Sequence, residues 1–115
     1  MISLTLPYPV LLNRLYRSYR GRVVLTQEGK TYKDTVAGLC VAAGILKPLV
    51  GNVELDIYEY RPQERGDIDG PLKLILDSIQ GYVYTNDAQV RRMTVIQYTD
   101  RENPRVELKA WAISL

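Results

Sequence analysis

The chain contains no histidine and only one cysteine, Cys40. The first absence excludes histidine general bases, Ser-His-Asp triads and zinc sites built on histidine. A lone cysteine can neither close an internal disulfide nor build a zinc site, which suits a reducing compartment. No glycine-rich phosphate loop of Walker or Rossmann spacing occurs. No apolar run is long enough to span a bilayer, and Met1–Thr5 lacks the basic n-region of a signal peptide. A cytoplasmic chain with no membrane partner is therefore expected. Net charge is also small, at +2.

What remains is an ordinary globular balance. The 115 residues are 46% hydrophobic and 24% charged, enough for a single domain over residues 1–115 with a core of its own. The charge is unevenly spread. Arg14, Arg17, Arg20, Arg22, Lys30 and Lys33 stand against Glu28 and Asp34, with Tyr16, Tyr19 and Tyr32 interleaved. Cations neutralise phosphates and aromatic faces stack on bases, so the segment suits nucleic acid. A solvated basic face with half-packed tyrosines would have the same composition, and this segment alone does not choose between the two.

Hydrophobic periodicity predicts the elements. Ile2, Leu4 and Leu6 alternate with Ser3 and Thr5 as a half-buried strand ended by Pro7-Tyr8-Pro9, and Val23–Leu25 forms a short second strand after Gly21. Thr26 can cap a helix from about Glu28 to Ala43, with Tyr32, Val36, Leu39, Cys40 and Ala43 on its buried face. Asn52–Tyr60 alternates again, with Val53, Leu55 and Ile57 opposite Glu54, Asp56 and Tyr58. A second helix starts around Asp69 to Pro71, buries Leu72, Ile75, Leu76 and Ile79, and stops at Gly81. Strands at Arg91–Tyr98 and Arg105–Ile113 complete the order β-β-α-β-α-β-β, an α+β domain with a mixed sheet and two helices.

The chemistry concentrates between the second helix and its flanks. Asp67 and Asp69 are two residues apart, so in an extended segment they point the same way. They precede a helix whose free N–H groups favour negative charge, and Lys73 lies at i+4 from Asp69. The return loop after Gly81 is expected to bring Asp87 beside the pair. Gathered carboxylates repel each other unless a cation lies between them, and with basic residues nearby Mg²⁺ and a phosphodiester are the natural pairing. On this reading Asp67, Asp69 and Asp87 hold the metal, while Lys73 stabilises charge on the phosphate or positions water. Each residue also has a plain structural account. Asp69 can be a helix N-cap, Asp87 a turn residue, and Lys73 a surface lysine paired with Asp69 or Asp77.

These residues resemble the RusA family of Holliday junction resolvases of bacterial prophages and phages. The opening strand with Pro-x-Pro and Asn13-Arg14-Leu15-Tyr16-Arg17 is similar to the family's start, and residues 21–32 to its strand and first-helix segment. Arg65-Gly66-Asp67-Ile68-Asp69 with Lys73 resembles its Asp-Leu-Asp-Asn motif and following lysine. Asn86-Asp87-Ala88-Gln89-Val90 resembles its Asp-Asp-Ala-Gln-Val motif. Gly70 stands where the family usually has asparagine, Asn86 where it has a first acid, and Pro71 is less usual in that turn. The resemblance implies a homodimeric, Mg²⁺-dependent endonuclease, with Mn²⁺ as an alternative metal, that resolves four-way DNA junctions by paired symmetric nicks in a bacterial cell. It implies metal binding by Asp67, Asp69 and Asp87 and catalysis by these together with Lys73. Arg14, Tyr16, Arg17, Arg20, Arg22, Lys30, Arg61 and Arg65 are expected to contact the DNA. Two other readings stand beside it: a non-catalytic junction-binding protein, and a metal nuclease acting on other branched DNA such as forks or flaps.

Overall fold

The computed structural model describes residues 1–9 and 16–115 of the chain. In chain order the elements are β1 (Ile2–Pro7), β2 (Tyr16–Tyr19), β3 (Arg22–Leu25), α1 (Gln27–Ala42), β4 (Val53–Arg61), α2 (Leu72–Ile79), β5 (Val90–Thr99) and β6 (Arg105–Ala112). A four-stranded sheet runs β1-β6-β4-β5, and β2 and β3 form a separate two-stranded ribbon. β6 pairs antiparallel with both β1 and β4, whereas β4 and β5 are parallel. A parallel pair needs a crossover, which α2 supplies. The α+β class and mixed sheet follow the sequence expectation.

The expectation lacked β2. Its pairing with β3 sets Tyr19 opposite Arg22 across a two-residue turn. Arg20 (φ 51°) and Gly21 (φ 75°) both adopt left-handed backbone there, as the turns that match strand twist require. Arginine at the first turn position, in place of the usual Asn or Asp, hides the hairpin in the sequence.

One face of the four-stranded sheet is covered and forms the core. Leu4 and Leu6 of β1, Val53, Leu55 and Ile57 of β4, and Val106, Leu108 and Ala110 of β6 are buried with Tyr32, Val36 and Cys40 of α1 and Leu74, Ile75 and Ile79 of α2. Thr26 caps α1 as predicted, accepting from Gly29 N at 3.2 Å. Ala43, expected on the buried face, is exposed because it is already the C-cap. The buried stripe of α2 is rotated from expectation. Leu74 and Ser78 are fully buried, while Leu72 and Leu76 only pack partly against the core. The helix touches both the sheet-side core and α1, so its buried surface is wider than one stripe. Ser78 tolerates burial because its hydroxyl donates to Leu74 O at 2.6 Å.

Candidate metal and nucleic-acid site

The parallel pair determines where the acidic loop sits. β4 ends at Arg61, the chain crosses through residues 62–66, and Asp67–Pro71 turns it back into α2. Ligand sites in open α/β sheets favour this position, above the carboxyl end of a strand that feeds a crossover helix. The turn is tight: Gly70 N donates to Asp67 O at 3.1 Å and Leu72 N to Asp69 O at 3.1 Å. A Cβ on Gly70 would stand 3.3 Å from Asp67 O, which accounts for a glycine at this point.

The aspartate side chains are not used by the local structure. The N-cap of α2 is Pro71, and no side chain caps the helix, so Asp69 is not spent as a cap. Among the described residues, the carboxylates of Asp67 and Asp69 make no hydrogen bond or ion pair. Lys73, the second residue of α2, lies 3.5 Å from Asp77 Oδ2. Thus Asp69, Lys73 and Asp77 recur at four-residue intervals along the start of the helix.

Asp87 is held by contacts of its own loop and of the end of α2. Its backbone N donates to Gln80 Oε1 at 3.1 Å, and its Oδ1 lies 3.3 Å from the Tyr84 hydroxyl, itself 3.2 Å from Leu76 O. Tyr84 is fully buried, and burial first, then the charges of Asp87 and Asp77, push its hydroxyl pKa up. Asp87 therefore stands beside the middle of α2 on the side of Asp77. Among the described residues, no hydrogen bond or ion pair joins Asp87 to Asp67 or Asp69. Among the described residues, no three His, Cys, Asp or Glu side chains are grouped closely enough to hold a metal. The chain reaches β5 only after Asp87, and Val90 pairs with Val53 at the far end of β4 from the Asp67 loop.

Asn86 takes a structural role. It accepts from Ala88 N at 2.8 Å, while Gln89 Oε1 accepts from Asn86 N at 3.0 Å, a capping box around the short helix Asp87–Gln89. Gln89 Nε2 donates to the carbonyls of Leu49 and Gly51, both at 2.9 Å, pinning this loop to the segment before β4. Asn and Asp cap equally well, so asparagine preserves the geometry an acid would give at position 86.

Sequence reasoning missed Glu59. It occupies the core-facing register of β4 after Val53, Leu55 and Ile57, and it is 0% exposed. Burial, and then the nearby charge of Asp69, pushes its carboxyl up to about 7, with Arg61 opposing. The alternation of β4, continued by one more step, places it on the buried face. That was the signal available.

Of the residues expected to meet DNA, Arg20, Arg22, Lys30 and Arg65 are exposed and Arg61 is half-buried. Arg61 Nε donates to Thr99 Oγ1 at 3.2 Å across the β4–β5 pair. With the Gln63 amide turned to satisfy both groups, its oxygen accepts from Arg65 Nη2 at 3.0 Å and Nε at 3.1 Å. Arg61 and Arg65 thus both lie on the segment that leads into the Asp67 turn. Arg14 lies outside the described residues, as do the side chains of Tyr16 and Arg17.

An α+β domain that mounts carboxylates and arginines together over the end of a parallel strand pair has the equipment of a phosphodiester-processing domain. Comparison with known proteins gives the same class. The family model described as Endodeoxyribonuclease RusA matches residues 7–110. A crossover junction endodeoxyribonuclease RusA of Escherichia coli K12 is 33% identical over 108 residues, covering 92% of this chain and 90% of that one. The Enterobacteria phage 82 protein of the same name is 32% identical over 110 residues, covering 91% and 89%. The Shigella sonnei counterpart is 32% identical over 108 residues, covering 92% and 90%. The chain belongs to the RusA family of endodeoxyribonucleases. None of the helices among the described residues is long and apolar enough to cross a membrane.

Proposed function

We propose that the chain is an endonuclease that cuts four-way DNA junctions by paired symmetric nicks, acting as a homodimer with Mg²⁺, or Mn²⁺ in its place. The observation that carries the reading is the Asp67–Asp69 loop. The two carboxylates lie on a tight turn after β4, and among the described residues neither serves as a cap or in an ion pair. The donor set is all oxygen, which suits a hard divalent cation. Asp67 and Asp69 would hold it; Asp87, which is not grouped with them in this arrangement, would join as a third ligand when the cation and DNA bind. When bound, the cation supplies Lewis-acid polarisation of a phosphate oxygen and a more acidic water.

The chain's own groups do the rest. Lys73 stands one turn from Asp69 and sets a positive charge where a phosphate oxygen gains negative charge during cleavage. Arg61 and Arg65 beside the loop, and Arg20, Arg22 and Lys30 on the hairpin and α1, bind the phosphate backbone, positioning it without reading sequence. Arg14, Tyr16 and Arg17 are assigned to the same surface. A two-fold dimer matches the pseudo-symmetry of a junction and sets two equivalent sites against two strands.

Incubation with a synthetic four-way junction, with and without Mg²⁺, tests the reading. Paired nicks that need the metal and vanish in Asp69→Asn while binding persists are the expected result. Binding without any cleavage would mark a non-catalytic junction binder, and products confined to flaps a nuclease for other branched DNA. Light scattering on the free protein reads the dimer.

A further inference from the structure

The helix α2 carries its charges against its own dipole. Lys73 is its second residue and Asp77 its third from last, with no acid in the first turn and no base in the last. A helix favours anions at its N-terminus and cations at its C-terminus. An acid four residues before a base also stabilises it more than the reverse order. Exchanging the two side chains would serve the helix better, so helix stability does not account for the pair. Lys73 Nζ nonetheless lies 3.5 Å from Asp77 Oδ2, with the lysine side chain 65% exposed and the aspartate 34%. The aspartate is thus the more enclosed partner. Its turn of the helix is fixed by the burial of Leu74, Ile75, Ser78 and Ile79.

We propose that Asp77 is a positioning residue for Lys73: its carboxylate holds the ammonium in place on this face of α2 and keeps it charged. The inference rests on the reading of Lys73 as the group that stabilises charge on the phosphate. A lysine has a flexible four-carbon stem, and an exposed one samples many rotamers. A carboxylate one turn further along the helix narrows that choice, so less freedom is left to lose when the phosphate arrives. The anion also favours the charged form of the amine. A divalent cation at Asp67 and Asp69 would oppose a second positive charge nearby, and Asp77 offsets that repulsion.

The experiment measures single-turnover cleavage of a synthetic four-way junction with Mg²⁺, junction affinity, and thermal unfolding, all on the full-length protein. Wild type is compared with Lys73→Ala, Asp77→Asn, Asp77→Glu and the double variant Lys73→Ala with Asp77→Asn. Lys73→Ala should slow cleavage at least about 100-fold, as loss of one preorganised charge-stabilising donor does. Asp77→Asn should slow it about five-fold, the upper end of what an exposed ion pair contributes, while unfolding midpoint and junction affinity do not fall. Asp77→Glu keeps a carboxylate at the same helix position and should recover most of the rate. Added to Lys73→Ala, Asp77→Asn should cost nothing further. A wild-type rate in Asp77→Asn, or an equal slowdown with and without the Lys73 side chain, overturns the role of Asp77 and leaves that of Lys73 standing. A slowdown that follows a lowered unfolding midpoint and is not recovered by Asp77→Glu overturns it as well. A wild-type rate in Lys73→Ala overturns the reading of Lys73 and this inference with it. A wild type that binds the junction without cutting it overturns the endonuclease reading itself and everything that rests on it.

Discussion

The Tyr84 hydroxyl lies 3.3 Å from Asp87 Oδ1, and the ring that carries it is fully buried against α2. The orientation of Asp87 is therefore a property of the core packing. Tyr84→Phe keeps the ring and removes the hydroxyl contact to Asp87 and Leu76 O. Stability should drop by about 1 kcal/mol, the usual net contribution of one such bond, as read from the urea midpoint. Junction cleavage should slow while junction binding is unchanged.

The capping box at Asn86 leads to a second expectation. Asn86→Asp retains an acceptor for Ala88 N and should leave stability within about 0.5 kcal/mol of wild type. Asn86→Ala removes it and should cost about 1 kcal/mol. Thermal unfolding of the two variants side by side decides whether this position acts through the cap or through a negative charge.

Stability of the metal-free protein should depend on pH through Glu59. Its folded carboxyl, raised to about 7, binds its proton more tightly than the unfolded chain does, near the ordinary 4.5. Its neutral form is thus the one the fold favours, and stability is full below the unfolded value. It is lost progressively as pH rises from that value through the folded one. Denaturant midpoints at a series of pH values should show this decline, and Glu59→Gln should flatten it. At the acid end Asp100 acts with the opposite sign. Its carboxyl is held low by the Asn103 backbone N–H and by Arg105, 2.9 Å away, so its contribution is present above the unfolded value and lost as pH falls through the folded one.

Arg65 is exposed two residues before Asp67 and oriented by Gln63. Arg65→Ala should weaken junction binding about equally for different sequences. The slope of log affinity against log salt should fall by about 0.9, the signature of one lost phosphate contact. An unchanged slope would mean that Arg65 does not reach the backbone.

Much of this was legible in the chain itself, for a physical reason. The Thr26 cap, the alternation of β1, β4 and β6 and the stop of α2 before Gly81 depend on residues within one or two turns of each other, and periodicity and capping report such local energetics directly. The acidic loop was legible too, because Asp67, Asp69 and Lys73 are close in sequence. The β2–β3 hairpin was not, since its turn uses Arg20 in a conformation that arginine seldom adopts.

By itself the sequence determined an α+β domain without histidine chemistry, carrying an acidic loop ahead of its second helix and a basic segment near its start. The tertiary structure alone decided the rest. Only the parallel register of β4 and β5, set by contacts nearly forty residues apart, puts Gln97 beside Glu59. Only the packing of the sheet under the helices buries that acid next to Asp69 and leaves Asp87 anchored to Tyr84. Burial and register are sums over distant partners, so no local window of the chain contains them.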